Sequence, residues 1–84
     1  NTAREAHRLC RALASAPRES PDRARTAHKL IQTTKSLGVR DSQALNLLKR
    51  WVRAERSARD TGSALESLES HLEHLAARLE AALN

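Results

Sequence analysis

The chain has 84 residues and carries 15 Lys/Arg against 10 Asp/Glu, with one Trp, one Cys and no Phe, Tyr or Met. That length supports a single domain with a modest core, and an Ala/Leu apolar content favours helix on helix over a sheet. No apolar run reaches about 18 residues, which excludes a membrane span, and a lone cysteine excludes an internal disulfide and favours an intracellular, reducing setting. We expect an all-α fold, a compact bundle of four helices with antiparallel neighbours. The missing initiator Met leads us to expect a piece of a longer protein.

The first helix is predicted at 3–16. Thr2 with Glu5 has capping-box spacing, and Pro17 stops the helix. Ala6, Leu9, Cys10 and Leu13 form its apolar face, and Arg4, Arg8 and Arg11 make a basic stripe opposite. After a linker at 17–20, Ser20 caps the second helix (21–37) and Pro21 takes N1, where a missing N–H costs nothing. Ala24, Ala27, Leu30, Ile31, Thr34 and Leu37 point inward. Gly38 is expected to end the helix in the left-handed C′ conformation.

Asp41 is a good N-cap for the third helix (42–59). Its apolar face is broad, running over Ala44, Leu47, Leu48, Trp51, Ala54 and Ala58 with Leu45 and Val52 at one edge. That breadth predicts a central place in the bundle, with Trp51 as core anchor. Lys49, Arg50, Arg53 and Arg56 lie opposite.

Asp60-Thr61-Gly62 is read as the next break. The last helix (64–83) is then capped by Ser63 with Glu66. Leu65, Leu68, Leu72, Leu75, Leu79 and Ala82 recur at steps of three and four, a heptad seam that must pack on its own bundle, on a second copy or on a partner. Glu66, Glu69, Glu73 and Glu80 line one flank. Residues 1–60 hold 14 Lys/Arg against 6 Asp/Glu, and residues 61–84 hold 1 against 4. Such a split predicts either complementarity within the chain or an anionic partner for the first sixty residues.

No catalytic set is legible. Both glycines sit at predicted helix ends, so no phosphate-cradling loop exists, and no paired carboxylates or Ser/His/Asp arrangement is spaced for chemistry. We expect no enzyme and no cofactor. His7, Cys10, His71 and His74 form two i,i+3 pairs of zinc-ligand type. Helical geometry turns His74 away from the seam, however, and Cys10 lies on an apolar face, so a metal site is not expected. Ser20 and Ser57 have short phosphorylation-like contexts.

The stretch Thr33-Thr34-Lys35-Ser36-Leu37-Gly38-Val39, followed by an Asp41-capped helix with several basic residues, resembles the turn of bacterial helix-turn-helix proteins. Arg40 adds one residue to that turn. The resemblance implies DNA contacts from Ser42, Gln43, Asn46, Lys49, Arg50 and Arg53, with the last helix as dimerisation element.

The residues point first to a non-catalytic interaction or assembly module. Its expected partner is a helix or acidic protein surface, a second copy included, and no membrane. Leu68, Leu72, Leu75 and Leu79 would supply apolar contacts, with Arg4, Arg8, Arg11, Arg53 and Arg56 steering. DNA binding is the alternative.

Overall fold

Four helices make up most of the chain in a computed structural model that describes residues 2–17 and 19–83. They are α1 (Thr2–Ser15), α2 (Pro21–Gly38), α3 (Ser42–Ser57) and α4 (Thr61–Leu83). The fold is all-helical, and no strand occurs among the described residues. No helix is long and apolar enough to cross a membrane. Arg18, within the expected linker, lies outside the described residues.

Each helix packs on two others. The backbones of α1 and α3 both come close to α2 and α4, while those of α1 and α3, and of α2 and α4, do not approach within 8 Å. The helices therefore occupy the corners of a square. α3 is not central, as its broad apolar face had suggested. Two neighbours use that breadth: Ala44, Leu48, Trp51 and Ala54 are buried, whereas Leu45, Leu47 and Val52 at the edges are half-buried.

The main core joins Ala6, Cys10 and Leu13 of α1, Leu30 of α2, Leu48 and Trp51 of α3, and Leu65, Leu68 and Leu72 of α4. A smaller cluster of Ala3, Leu75 and Ala76, with Leu37 against it, closes the other end. Each fully buried Leu is worth about 1.5–3 kcal/mol. The heptad leucines thus supply a large share of the fold's own stabilisation.

Several helix ends differ from expectation, each for a physical reason. Gly38 is the last residue of α2 and does not adopt a positive φ; the cap is Val39 at φ −61°. What glycine provides there is proximity, since a Cβ on Gly38 would meet the Leu45 Cβ at 3.1 Å. The amides of Arg40 and Asp41 both donate to the Leu37 carbonyl, at 3.0 and 2.9 Å.

α3 stops at Ser57, because Ala58 (φ 54°) and then Asp60 (φ 53°) enter the left-handed region. α4 consequently begins at Thr61, which places Gly62 and Ser63 inside its first turn. Ser63 is therefore not the cap, and the Ser63–Glu66 box does not form; the Ala64 amide donates to the Asp60 carbonyl instead. Thr2 is likewise already helical, one place further in than its expected capping role. Ser20 precedes Pro21 as expected but makes no side-chain capping bond.

Candidate protein-interaction surface

Asp41 sets the start of α3. Its Oδ1 accepts from the amides of Gln43 (3.0 Å) and Ala44 (3.3 Å), and its Oδ2 accepts from Nε2 of His71 at 2.9 Å. Desolvation pushes this carboxyl up, but the bonds from His71 and the two amides, with the His71 charge, outweigh it and hold it below its ordinary value. One side chain thus caps α3 and ties it to α4.

From that cap, α3 presents Ser42, Gln43, Asn46, Lys49, Arg50, Arg53 and Arg56 to solvent. Spacings of three, four and seven keep them on one face. Lys49, Arg50, Arg53 and Arg56 have no ion pair among the described residues. Arg50 with Arg53, and Lys49 with Arg53, are like charges one turn apart, a modest repulsion that an anionic ligand relieves.

The α1 stripe behaves differently. Arg4 donates from Nε and Nη2 to the two carboxylate oxygens of Glu80, each at 2.9 Å, a bidentate pair that holds the Glu80 carboxyl below its ordinary value. Arg8 and Arg11 remain exposed. Because α1 and α3 occupy opposite corners, Arg4, Arg8 and Arg11 do not share a surface with Arg53 and Arg56. Arg4, Arg8 and Arg11 form the stripe of α1, and Arg53 and Arg56 belong to that of α3.

Of the leucines expected to contact a partner, only Leu79 is exposed. Leu68 and Leu72 are fully buried and Leu75 nearly so, all within this chain's own core, so a partner cannot reach them without unfolding the bundle. Leu79, 41% exposed, and exposed Ala82 are what the seam leaves at the surface.

The zinc-type residues are drawn to separate partners. His7 Nε2 stands 3.5 Å from Glu69 Oε1, in ion-pair range but without hydrogen-bond geometry. His71 holds Asp41, and exposed His74 donates through Nδ1 to the Ser70 carbonyl at 2.8 Å. Burial, with a contribution from the Glu69 charge, pushes the Cys10 thiol up to about 12. It is neither nucleophile nor ready metal ligand. Among the described residues no three His, Cys, Asp or Glu side chains gather as a metal site.

Two grooves among the described residues border α3. The larger, about 640 Å³, is shallow and polar and runs between α3 and α4 past Gln43, Leu47, Glu66 and His71. A smaller and more apolar one, about 360 Å³, separates α2 from α3. Ala24, Ala27 and Ile31 line its α2 wall and Trp51 with Val52 its α3 wall; Arg56 and the Arg23–Glu55 ion pair also line it.

No protein-family model matches this chain, and no curated protein or solved structure matches it.

The α2–α3 groove is not legible in the sequence, where the periodicity of α2 points Ala24 and Ala27 inward. In the fold Ala24 is exposed and Ala27 half-buried. The available signal was size: Ser20, Ala24 and Ala27 put small side chains on one stripe of α2, where a large residue would have filled the space.

Proposed function

We propose that this domain is a non-catalytic interaction module that binds an acidic surface of another protein through α3 and the adjoining side of α2. The carrying observation is the outer face of α3, where four cations stand exposed and without an ion pair among the described residues. By contrast, Glu69 and Glu80, half the acidic flank of α4, are turned to His7 and Arg4 of this same chain. Charge, and not a coiled coil, is the means of recognition, since Leu68, Leu72 and Leu75 are already buried in the core. A reducing, intracellular location suits the single buried thiol.

Duplex DNA is the second reading. Ser42, Gln43, Asn46, Lys49, Arg50 and Arg53 share one exposed face that starts at a capped N-terminus, the end a recognition helix offers to bases. Against it, Val39 in the turn is 85% exposed, so the turn places no apolar anchor beneath α3.

Parallel titrations with polyglutamate and random duplex DNA, at about 50 and 200 mM salt, separate the two. We expect polyglutamate to bind and the double variant Arg50→Glu/Arg53→Glu to abolish it. Duplex binding that falls about a hundredfold across that salt range, with sequence choice dependent on Gln43 and Asn46, would replace our reading with the DNA one.

A further inference from the structure

The α2–α3 groove has the dimensions and surroundings of a docking channel. Ser20, Ala24, Ala27 and Ile31 follow one another at steps of four, three and four along its α2 wall. Its apolar part, from Ala24 to Ile31, spans about 10 Å, or two helical turns. The floor is apolar and only partly covered: Ala27, Ile31 and Val52 are half-buried and Ala24 is exposed. Trp51 lies beneath this floor, only 2% exposed, and its buried indole N–H has no acceptor among the described residues.

Charge decides what fits. Residues 21–57 contain nine Lys/Arg against three Asp/Glu. Two of those acids are already engaged, Glu55 by Arg23 and Asp41 by His71 and the start of α3. At the groove itself the one charge left uncompensated among the described residues is the exposed Arg56 cation. An apolar channel two turns long beside the Arg56 cation matches an amphipathic helix whose apolar face carries anchors at i, i+3/i+4 and i+7 and whose flanks are acidic.

We propose that the α2–α3 groove is the docking site of an acidic amphipathic helix of about three turns, seated on Ala24, Ala27, Ile31 and Val52 above Trp51 and held at its flank by Arg56. This rests on the acidic-partner reading above and adds to it the site, the secondary structure and the anchoring residues of the ligand.

Trp51 makes the test direct, because it is the single Trp in a chain without Tyr. The probe is a 5-carboxyfluorescein-labelled helical peptide of about twelve residues with Leu at i, i+3, i+4 and i+7 and Glu on its flanks. A second version replaces the central Leu with bromophenylalanine, whose heavy atom quenches indole only at contact. Labelled peptide without apolar residues, the same peptide with Lys for Glu, and anionic vesicles serve as comparisons.

We expect the acidic amphipathic peptide to bind and its brominated form to quench Trp51. Arg56→Glu and Ala24→Glu should each weaken binding about tenfold or more. Arg25→Glu makes the same charge change as Arg56→Glu but on an exposed α2 residue outside the groove, and should weaken binding about twofold or less. Circular dichroism of every variant confirms helical content; all three substitutions fall on exposed residues.

Acidic peptides that bind with or without leucines, leave Trp51 unquenched and depend equally on Arg25 and Arg56 would overturn the groove while sparing the acidic-partner reading. No binding by any acidic peptide would overturn both. Preference for vesicles or for the Lys peptide, or a Trp51 change driven by protein concentration alone, would assign the groove to a lipid surface, a basic ligand or a second copy, and each contradicts the proposal.

Discussion

The α1–α4 side of the bundle and the α2–α3 side are built from similar residues and finished differently. On the first, Ala3, Ala6 and Cys10 are fully buried, with Leu72, Leu75 and Ala76 of α4 sealed in the same core clusters. The Arg4–Glu80 pair bridges the two helices, and His7 faces Glu69. On the second, Ala24 and Ala27 remain partly open beside a groove, and the cations of α3 find no acids among the described residues. An alanine stripe is therefore ambiguous. With a partner helix pressed against it, it permits close approach; without one, it leaves a channel. The same holds for charge: one side completes its pairs internally, and the other keeps its cations available.

The contrast breaks most sharply in the core. Leu72→Ala should cost about 2–5 kcal/mol in chemical denaturation, whereas Leu79→Ala, at the exposed end of the same seam, should change stability by less than about 0.5 kcal/mol. Equal costs would mean that Leu79 packs into the core as fully as Leu72. Overpacking gives a matched pair across the two sides. Ala6→Leu should destabilise by about 1–3 kcal/mol because no space remains there, while Ala24→Leu should be neutral or slightly stabilising and should obstruct the groove.

Smaller effects sharpen the comparison at the helix junctions. Thr34 is fully buried, and its hydroxyl has no partner among the described residues. Thr34→Val should raise stability by about 1–2 kcal/mol, the desolvation cost removed. Asp41→Ala should cost about 0.5–2 kcal/mol for the lost cap, and should also loosen α3 from α4. The folded-state carboxyls of Asp41 and Glu80 both sit below their ordinary values. Their stabilisation is therefore complete above about pH 4–5 and is lost as pH falls through the lower folded values. Asp41→Asn should flatten that acid limb in urea titrations between about pH 5 and 2. Smallest of all, Ala58→Gly should stabilise by about 1 kcal/mol or less by relieving a left-handed alanine, net of glycine's greater unfolded-state entropy.

Much of the fold could be read from the chain. Pro17, Pro21 and Asp41 mark helix boundaries through backbone chemistry that acts locally, and the leucine steps of α4 announce a buried face. Elsewhere the deciding facts are tertiary. Gly38 has the same letter whether it turns left-handed or admits Leu45, and only the packing of α2 on α3 selects the second role. Ala58 and Asp60 carry no strong signal for positive φ, so the α3–α4 break shifts from the glycine to them. Periodicity demands that Leu68 and Leu72 be covered, but is silent on which chain covers them. The groove depends on how α2 and α3 pack together, a relation no single stretch contains.

The most direct measurement is an amide and indole NMR titration of the domain with the acidic amphipathic peptide. We expect the Trp51 indole cross-peak and the amides of Ala24, Ala27, Ile31, Val52 and Arg56 to shift together, with Ala3, Ala6, Cys10 and Ala76 unmoved. Shifts concentrated on α1 and α4, or no shifts at a peptide concentration of about 1 mM, weaker than the weakest affinity of interest, would contradict an open α2–α3 side built to receive an acidic helix.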